Sequence, residues 1–346
     1  MRILVTGGAG YIGSHACCEL AAAGHLPVTF DNLSRGHRAA VRWGPLVEAD
    51  LRDPGAIDAA LREFSIDAVI HFAALAYVGE SMAEPGRYFS NNVAGSLALL
   101  DAMHAAGVRK LVFSSTCATY GLPQAIPITE DHPQQPVNPY GESKLFIERA
   151  IAWHAQAHGL QWMALRYFNA AGADPQGRIG EDHEPETHLI PLAIETALGR
   201  RTELQVMGND YPTADGTAVR DYVHVSDLAR AHLLALDDLH RGGASMALNL
   251  GTGTGFSVRQ VVAAVERLSG QAVRTREMGR RAGDPPALVA APARAADILG
   301  WRPSRSGLDE IVRTALAWHV ARAQRDACGA GAPSASIAQE HEEVRP

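Results

Sequence analysis

The chain has 346 residues, 47% of them hydrophobic, with 31 Lys and Arg against 38 Asp and Glu, a formal net charge of −7. Such a composition fills a sizeable core and excludes global disorder, while the acidic balance without a basic run excludes a nucleic-acid binder built on a charged stripe. No stretch reaches the ~20 apolar residues of a bilayer span, and the opening residues are too short an apolar run for a signal peptide.

Four cysteines, Cys17, Cys18, Cys117 and Cys328, make no CxxC pair and no disulfide framework. The expectation is a cytoplasmic protein that binds neither nucleic acid nor membrane. At roughly 150 residues per domain, the length predicts two domains.

Along the chain, residues 3–6 read as a strand that runs into a glycine loop. Helical spacing follows over 14–24, with Ser14 as a candidate cap and Gly24 as a terminator. Residues 28–31, 46–50, 68–72 and 110–114 continue as strands. Helices are predicted over 90–106 and 140–157, and a strand over 163–168. Strands separated by helices require crossover connections and a parallel sheet, so the fold class is α/β, a doubly wound Rossmann sheet. Residues 170–186 are rich in Gly, Asp, Pro and Glu and read as loop. Helical patterns return over 189–198, 226–236, 257–268 and 308–321, which predicts a smaller mixed α/β C-terminal domain. The boundaries expected are 1–171 for dinucleotide binding, with later segments able to return to it, 172–323 mainly for substrate, and 324–346 as a disordered tail.

The loop Thr6-Gly7-Gly8-Ala9-Gly10-Tyr11-Ile12-Gly13 spaces its glycines as GxxGxxG between a strand and a helix. Glycines there let a pyrophosphate approach the backbone at a helix N-terminus. Asp31 ends the second strand, 18 residues beyond Gly13, where a carboxylate accepts the adenine ribose hydroxyls and repels the extra phosphate of NADP. NAD is therefore the expected cofactor, with nearby Arg35 the one feature favouring NADP. Asp50 and Leu51 end the third strand, beside the expected adenine. Farther on, Tyr140 and Lys144 form a Tyr-x-x-x-Lys pair on one helix face. A nearby ammonium and an oxidised nicotinamide lower a phenol's pKa toward that of a usable base. Ser114 and Thr116 end a strand at the sheet's carboxyl edge, where Thr116 is placed to hydrogen-bond a substrate oxygen. No histidine pairs with a carboxylate at metal spacing. His183 and His188 stand among Glu181, Asp182, Glu184 and Glu186, which reads as a solvated acidic loop, and no metal is expected. Cys17 and Cys18 read as core of the first helix.

Together these stretches resemble the extended short-chain dehydrogenase/reductase family, in its branch of NAD-dependent UDP-hexose 4-epimerases, from residue 1 to about 320. Further matching stretches are Asp31-Asn32-Leu33-Ser34, His71-Phe72-Ala73-Ala74, Asn91-Asn92-Val93, Asn138-Pro139-Tyr140-Gly141, Leu165-Arg166-Tyr167-Phe168-Asn169, Val219-Arg220-Asp221-Tyr222 and Arg280-Arg281-Ala282-Gly283-Asp284. The resemblance implies an isomerase that oxidises C4 of a UDP-sugar transiently to a 4-keto intermediate on retained NAD, and a homodimer. It places Asn32, Ser34, Phe72, Ala73, Ala74 and Asn91 with the cofactor residues, and Tyr167 and Phe168 at the nicotinamide end. Asn169, His188, Arg220 and Arg281 fall at the substrate diphosphate, Asp284 at the uridine ribose, Leu288 beside the sugar's 2-substituent, and Leu189 among the substrate-binding residues.

Four positions depart from the family pattern. Thr116 stands for a common serine, Ala76 for a lysine near the nicotinamide ribose, His188 for an asparagine, and Leu288 for a bulky tyrosine of some relatives. The last leaves room for N-acetylated sugars. Dehydratases and decarboxylating relatives carry carboxylates where this chain has Cys117-Ala118, which removes both readings. A 4-epimerase of another UDP-sugar, an N-acetylhexosamine or a pentose, and a non-catalytic NAD-sensing protein are the alternatives carried forward.

Overall fold

The computed structural model describes residues 1–281 and 283–329. Its centre is a seven-stranded sheet in which every neighbouring pair is parallel. Across the sheet the strands run Met246–Leu250, Gln161–Tyr167, Lys110–Thr116, Ala68–His71, Arg2–Thr6, Leu26–Asp31 and Leu46–Glu48. Arg2–Thr6 therefore lies between the second and fourth strands of the chain. The crossovers leave in opposite directions at that point, opening a crevice at the carboxyl edge. Met246–Leu250 comes from the second half of the chain and extends this sheet, pairing with Met163–Tyr167.

Both faces of the sheet are covered, so its strands are apolar on both sides. Ile3, Val5, Ile70 and Leu248 pack with Leu20, Leu236, Leu239 and Trp301 on one face. Leu4, Val28, Val69 and Phe113 pack with Ile57, Leu61, Leu99, Met103, Ile147 and Ile151 on the other. A separate core joins helices Leu189–Ala197, Val258–Ser269 and Leu308–Gly329 through Ile190, Ile194, Val261, Val265, Ile311 and Val312.

Several local expectations need correction. The first helix runs Tyr11–Ala22 with Gly10 as its N-cap; Ser14 lies inside it and its hydroxyl donates to the Tyr11 carbonyl. The helix predicted over 90–106 is regular only over Gly95–Ala105, because a wider π-type turn occupies Phe89–Ala94. The elements expected from the sequence omit helix Pro54–Glu63, which buries Ile57, Ala60 and Leu61 and whose Asp53 cap accepts from the N–H groups of Gly55 and Ala56, and the short parallel pair Leu204–Met207 and Thr275–Met278. Cys17 is buried as expected, whereas Cys18 is half-buried and accepts from Arg178. The tail expected from residue 324 falls partly on helix Leu308–Gly329; residues 330–346 lie outside the described residues. Among the described residues no helix is long and apolar enough to cross a membrane.

Candidate active site

A cavity of about 1220 Å³ follows the carboxyl edge of the sheet and reaches the smaller, C-terminal elements. The glycine loop forms one wall. Gly7 has φ +72°, and a Cβ there would stand 2.7 Å from the backbone nitrogen of Ala73; a Cβ on Gly13 would stand 2.1 Å from the Gly7 carbonyl oxygen. Only hydrogen fits at either position, so the loop closes tightly and presents backbone at the start of helix Tyr11–Ala22. Tyr11, Ile12 and Gly10 line the same wall.

Asp31 accepts from the N–H groups of Ala9 at 3.0 Å and Leu33 at 2.8 Å. Burial raises its carboxyl pKa and those two donors oppose the rise. The Asn32 amide donates to Asp50 at 2.8 Å, and the Ser34 N–H to the Asn32 side chain at 3.0 Å. Asp50 is held well below the usual carboxylate range by Arg52. Leu51 completes this end, while Phe72, Ala73, Ala74 and Asn91 form the facing wall. Arg35 is engaged by Glu80 at 3.0 Å and the Glu184 carbonyl at 2.8 Å, and lies over the Tyr77 ring. It is thus already paired within the protein.

The middle of the cavity holds Tyr140 and Lys144, on helix Pro139–His158. Asn138 caps that helix by accepting from the Gly141 N–H at 2.8 Å, a contribution of about 1 kcal/mol. A buried Arg166–Glu148 ion pair ties the same helix to strand Gln161–Tyr167 at 2.6 Å. Lys144 Nζ donates to the Ser114 carbonyl at 2.8 Å and sits 4.8 Å over the Phe113 ring. The Ser114 hydroxyl and the Tyr167 phenol are 2.6 Å apart. Burial pushes the Lys144 ammonium down to about 7 and the Tyr140 phenol well above its ordinary value. Burial dominates the phenol, and the side chain that favours its ionised form is the Thr116 hydroxyl. Lys144 commits one of its three N–H donors to a strand carbonyl.

At the far end, Asn169 donates to the Asp221 carbonyl at 3.2 Å. Arg220 makes a short ion pair with Asp284, so these two, expected on separate parts of a ligand, face each other across the cavity wall. Leu288 lies on a short strand paired with Arg220. Phe168, Leu189 and Arg281 line the cavity too. The expectation of a solvated acidic loop is corrected at Glu181. Glu181 is 3% exposed, its carboxylate accepts from His188 Nδ1, and its carbonyl accepts from Trp318 Nε1 at 2.9 Å. Gly180 presses on the Trp318 ring, 2.4 Å from where a Cβ would be. Glu181, His183, Glu186 and His188 bring their side-chain ligand atoms within 4.8 Å of one another. Both Nδ1 atoms turn toward Glu181.

The structure thus gathers every predicted site residue around one cavity. Sequence reasoning missed Tyr77, Glu80 and the buried character of Glu181. A tight Gly180 against a tryptophan 138 positions later leaves no pattern along the chain.

Residues 3–251 match the family described as NAD dependent epimerase/dehydratase. A curated UDP-glucose 4-epimerase of Rhizobium leguminosarum bv. trifolii is 54% identical over 318 residues, 92% of this chain and 97% of that one. A crystal structure of UDP-glucose 4-epimerase from Brucella ovis in complex with NAD is 52% identical, with TM-score 0.90 over 91% of this chain and 97% of its own. Another, from Stenotrophomonas maltophila with bound NAD and formylated UDP-arabinopyranose, is 43% identical, with TM-score 0.91 over 94% and 99%.

Proposed function

The chain belongs to the NAD dependent epimerase/dehydratase family, and from that premise we propose that its cavity interconverts UDP-galactose and UDP-glucose by inversion at C4. The observation that carries the reading is Tyr140 and Thr116 opening into one cavity with the Gly7–Gly13 loop and Asp31. The named relatives support the same activity and the same cofactor.

The residues fit NAD. The loop at Gly7, Gly10 and Gly13 has no room for a Cβ at two of its three glycines and offers backbone to a pyrophosphate. Asp31 is a carboxylate at the expected ribose position, with Asn32, Ser34, Asp50 and Leu51 around the adenosine and Phe72, Ala73, Ala74, Asn91, Ser114, Tyr167 and Phe168 toward the nicotinamide. When bound, NAD supplies a reversible two-electron acceptor for the sugar carbon. Tyr140 takes the proton of the 4-hydroxyl and gives it back to the same oxygen when C4 regains its hydrogen on the opposite face. Thr116 holds the same oxygen. Lys144, anchored on Ser114, holds the cofactor's ribose and keeps positive charge near the reacting centre. Asn169, His188, Arg220 and Arg281 hold the diphosphate, guanidinium groups being matched to phosphate oxygens, Asp284 holds the uridine ribose, and Leu189 lines the substrate end of the cavity. Leu288 favours a second reading, acceptance of UDP-N-acetylated sugars, because its side chain is smaller than tyrosine.

The domain division at residues 171 and 172, with Met246–Leu250 returning to the first sheet, is part of this reading. So are a cytoplasmic location and a homodimer. The dimer is supported by Phe146 and Trp153, 48% and 68% exposed and two turns apart on helix Pro139–His158.

The test is Tyr140→Phe with UDP-galactose and no added NAD, quenched before UDP-glucose is read by a coupled dehydrogenase. The wild type reaches an equilibrium mixture without accumulating NADH, and the variant loses at least about 10²-fold in kcat. Equal turnover by both proteins would overturn the assignment of Tyr140.

A further inference from the structure

We propose that Glu181 is a positioning residue for substrate binding, holding the His188 imidazolium at the diphosphate end of the cavity. The inference rests on the UDP-sugar reading above and extends it to a residue that does not itself contact the phosphates.

Glu181 has a side chain 4% exposed, and that of His188 is 51% exposed. The carboxylate is thus withdrawn from water, and the imidazole is open to a ligand. A buried carboxylate without a partner is costly, so Glu181 demands a cation beside it. His188 supplies that cation through Nδ1. With Nδ1 committed, the remaining donor of the ring is its Nε2–H. His188 is also the N-cap of helix Leu189–Ala197, whose first turn adds positive dipole at the same place. An imidazolium and a helix N-terminus side by side on a cavity that also holds Arg220 and Arg281 suit a multiply charged anion.

The loop is held from three directions. Trp318 of the C-terminal helix donates to the Glu181 carbonyl at 2.9 Å, His37 to the Asp182 carbonyl at 2.8 Å, and Arg35 to the Glu184 carbonyl at 2.8 Å. Glu181 is therefore fixed before any ligand arrives.

Other titratable groups face the pair. Glu186 and His183 do so from the same loop, Tyr11 from the first helix, Tyr77 from the segment after strand Ala68–His71, and His319 from the C-terminal helix. Glu186 reinforces positive charge on His188 and accepts from its backbone N–H at 2.8 Å. The two carboxylates outweigh burial, and the imidazole is raised to about 9. Its charge is present below that pH and lost above it.

The experiment is UDP binding by calorimetry to the NAD-loaded protein between pH 6.5 and 9.5, for wild type, Glu181→Gln, His188→Asn and the double variant. For the wild type, UDP affinity is expected to hold to about pH 8.5 and weaken above 9. Glu181→Gln is expected to weaken UDP about tenfold at pH 8, the size of a lost charge-assisted contact, and to move the weakening down toward the ordinary imidazole range. His188→Asn removes the pH dependence, and the double variant binds no more weakly than His188→Asn alone. An unchanged affinity and pH onset in Glu181→Gln would overturn the inference, as would a full Glu181 effect in the His188→Asn background. If Glu181→Gln does not fold, identical pH profiles for wild type and His188→Asn overturn it equally. A wild type that binds no UDP overturns the UDP-sugar reading as well, whereas UDP binding independent of Glu181 and His188 overturns this inference alone.

Discussion

Lys144 Nζ donates to the carbonyl oxygen of Ser114 at 2.8 Å, locking one turn of helix Pro139–His158 to the last residues of strand Lys110–Thr116. The same Ser114 bonds the Tyr167 phenol through its hydroxyl. Three neighbouring elements of the carboxyl edge are thereby fixed relative to one another, and the lysine is held by a strand before any ligand is present. Its charge belongs to the architecture of the site as much as to the chemistry.

Replacing this side chain tests that anchoring. Lys144→Met keeps the apolar stem over Phe113 and removes the donor. The Ser114 carbonyl loses its partner at a cost of about 1–3 kcal/mol. NAD retained through purification, read by absorbance ratio and by extraction, should fall, and kcat should drop by at least about tenfold even with NAD supplied.

The glycine loop makes a sharper steric prediction. A Cβ at position 13 would stand 2.1 Å from the Gly7 carbonyl oxygen, a rigid backbone atom. Gly13→Ala must therefore displace the loop, costing roughly 1–3 kcal/mol or more. A lowered Tm together with loss of bound NAD is the expected outcome; a Tm within a degree of wild type, with NAD retained, would contradict the packing described here.

Acid sensitivity follows from a buried histidine. His232 packs on Phe72 with ring centroids 4.6 Å apart, and burial lowers its pKa from 6.5 to about 4. Between those values the unfolded chain binds a proton that the folded chain refuses, so stability falls as pH drops from 6.5 through 4. His232→Leu removes this contribution. From pH 7 to 4.5 the variant should gain roughly 2–3 kcal/mol relative to wild type, measured by denaturant unfolding.

The sugar end is testable through Leu288. The wild type is expected to convert UDP-N-acetylglucosamine as well as UDP-galactose. Leu288→Tyr should reduce kcat/KM for the N-acetylated substrate by at least about tenfold while sparing UDP-galactose, since added bulk meets only the larger 2-substituent. Equal loss on both substrates would mean that Leu288 does not discriminate between them.

Much of this molecule is legible along the chain. The sheet strands from Ile3 to Phe168, the glycine loop, Asp31 and the Tyr140–Lys144 spacing are local patterns, and each is close to where the sequence predicts it. The first helix begins earlier than its hydrophobic spacing suggests because the N-terminal turn belongs to the glycine loop, whose glycines carry no hydrophobic signal. The strands of the smaller domain are the least legible elements. They are two to four residues long, too short for alternation to stand out.

The linear order of residues sets the chemical groups and their periodicity: a loop without side chains between a strand and a helix, an acid at a strand end, a phenol and an ammonium one turn apart. Those depend on neighbours a few positions away, and the backbone repeats of helix and strand translate them directly into geometry. Which charges meet and which lose water depends on the folded chain. Arg220 pairs with Asp284, 64 positions on, and Glu181 is sealed by Trp318, 137 positions on. Lys144 donates to the carbonyl of Ser114, 30 positions before it. Burial and pairing are properties of segments brought together by the collapse of the whole chain, so the electrostatics of the site exist only once the fold does.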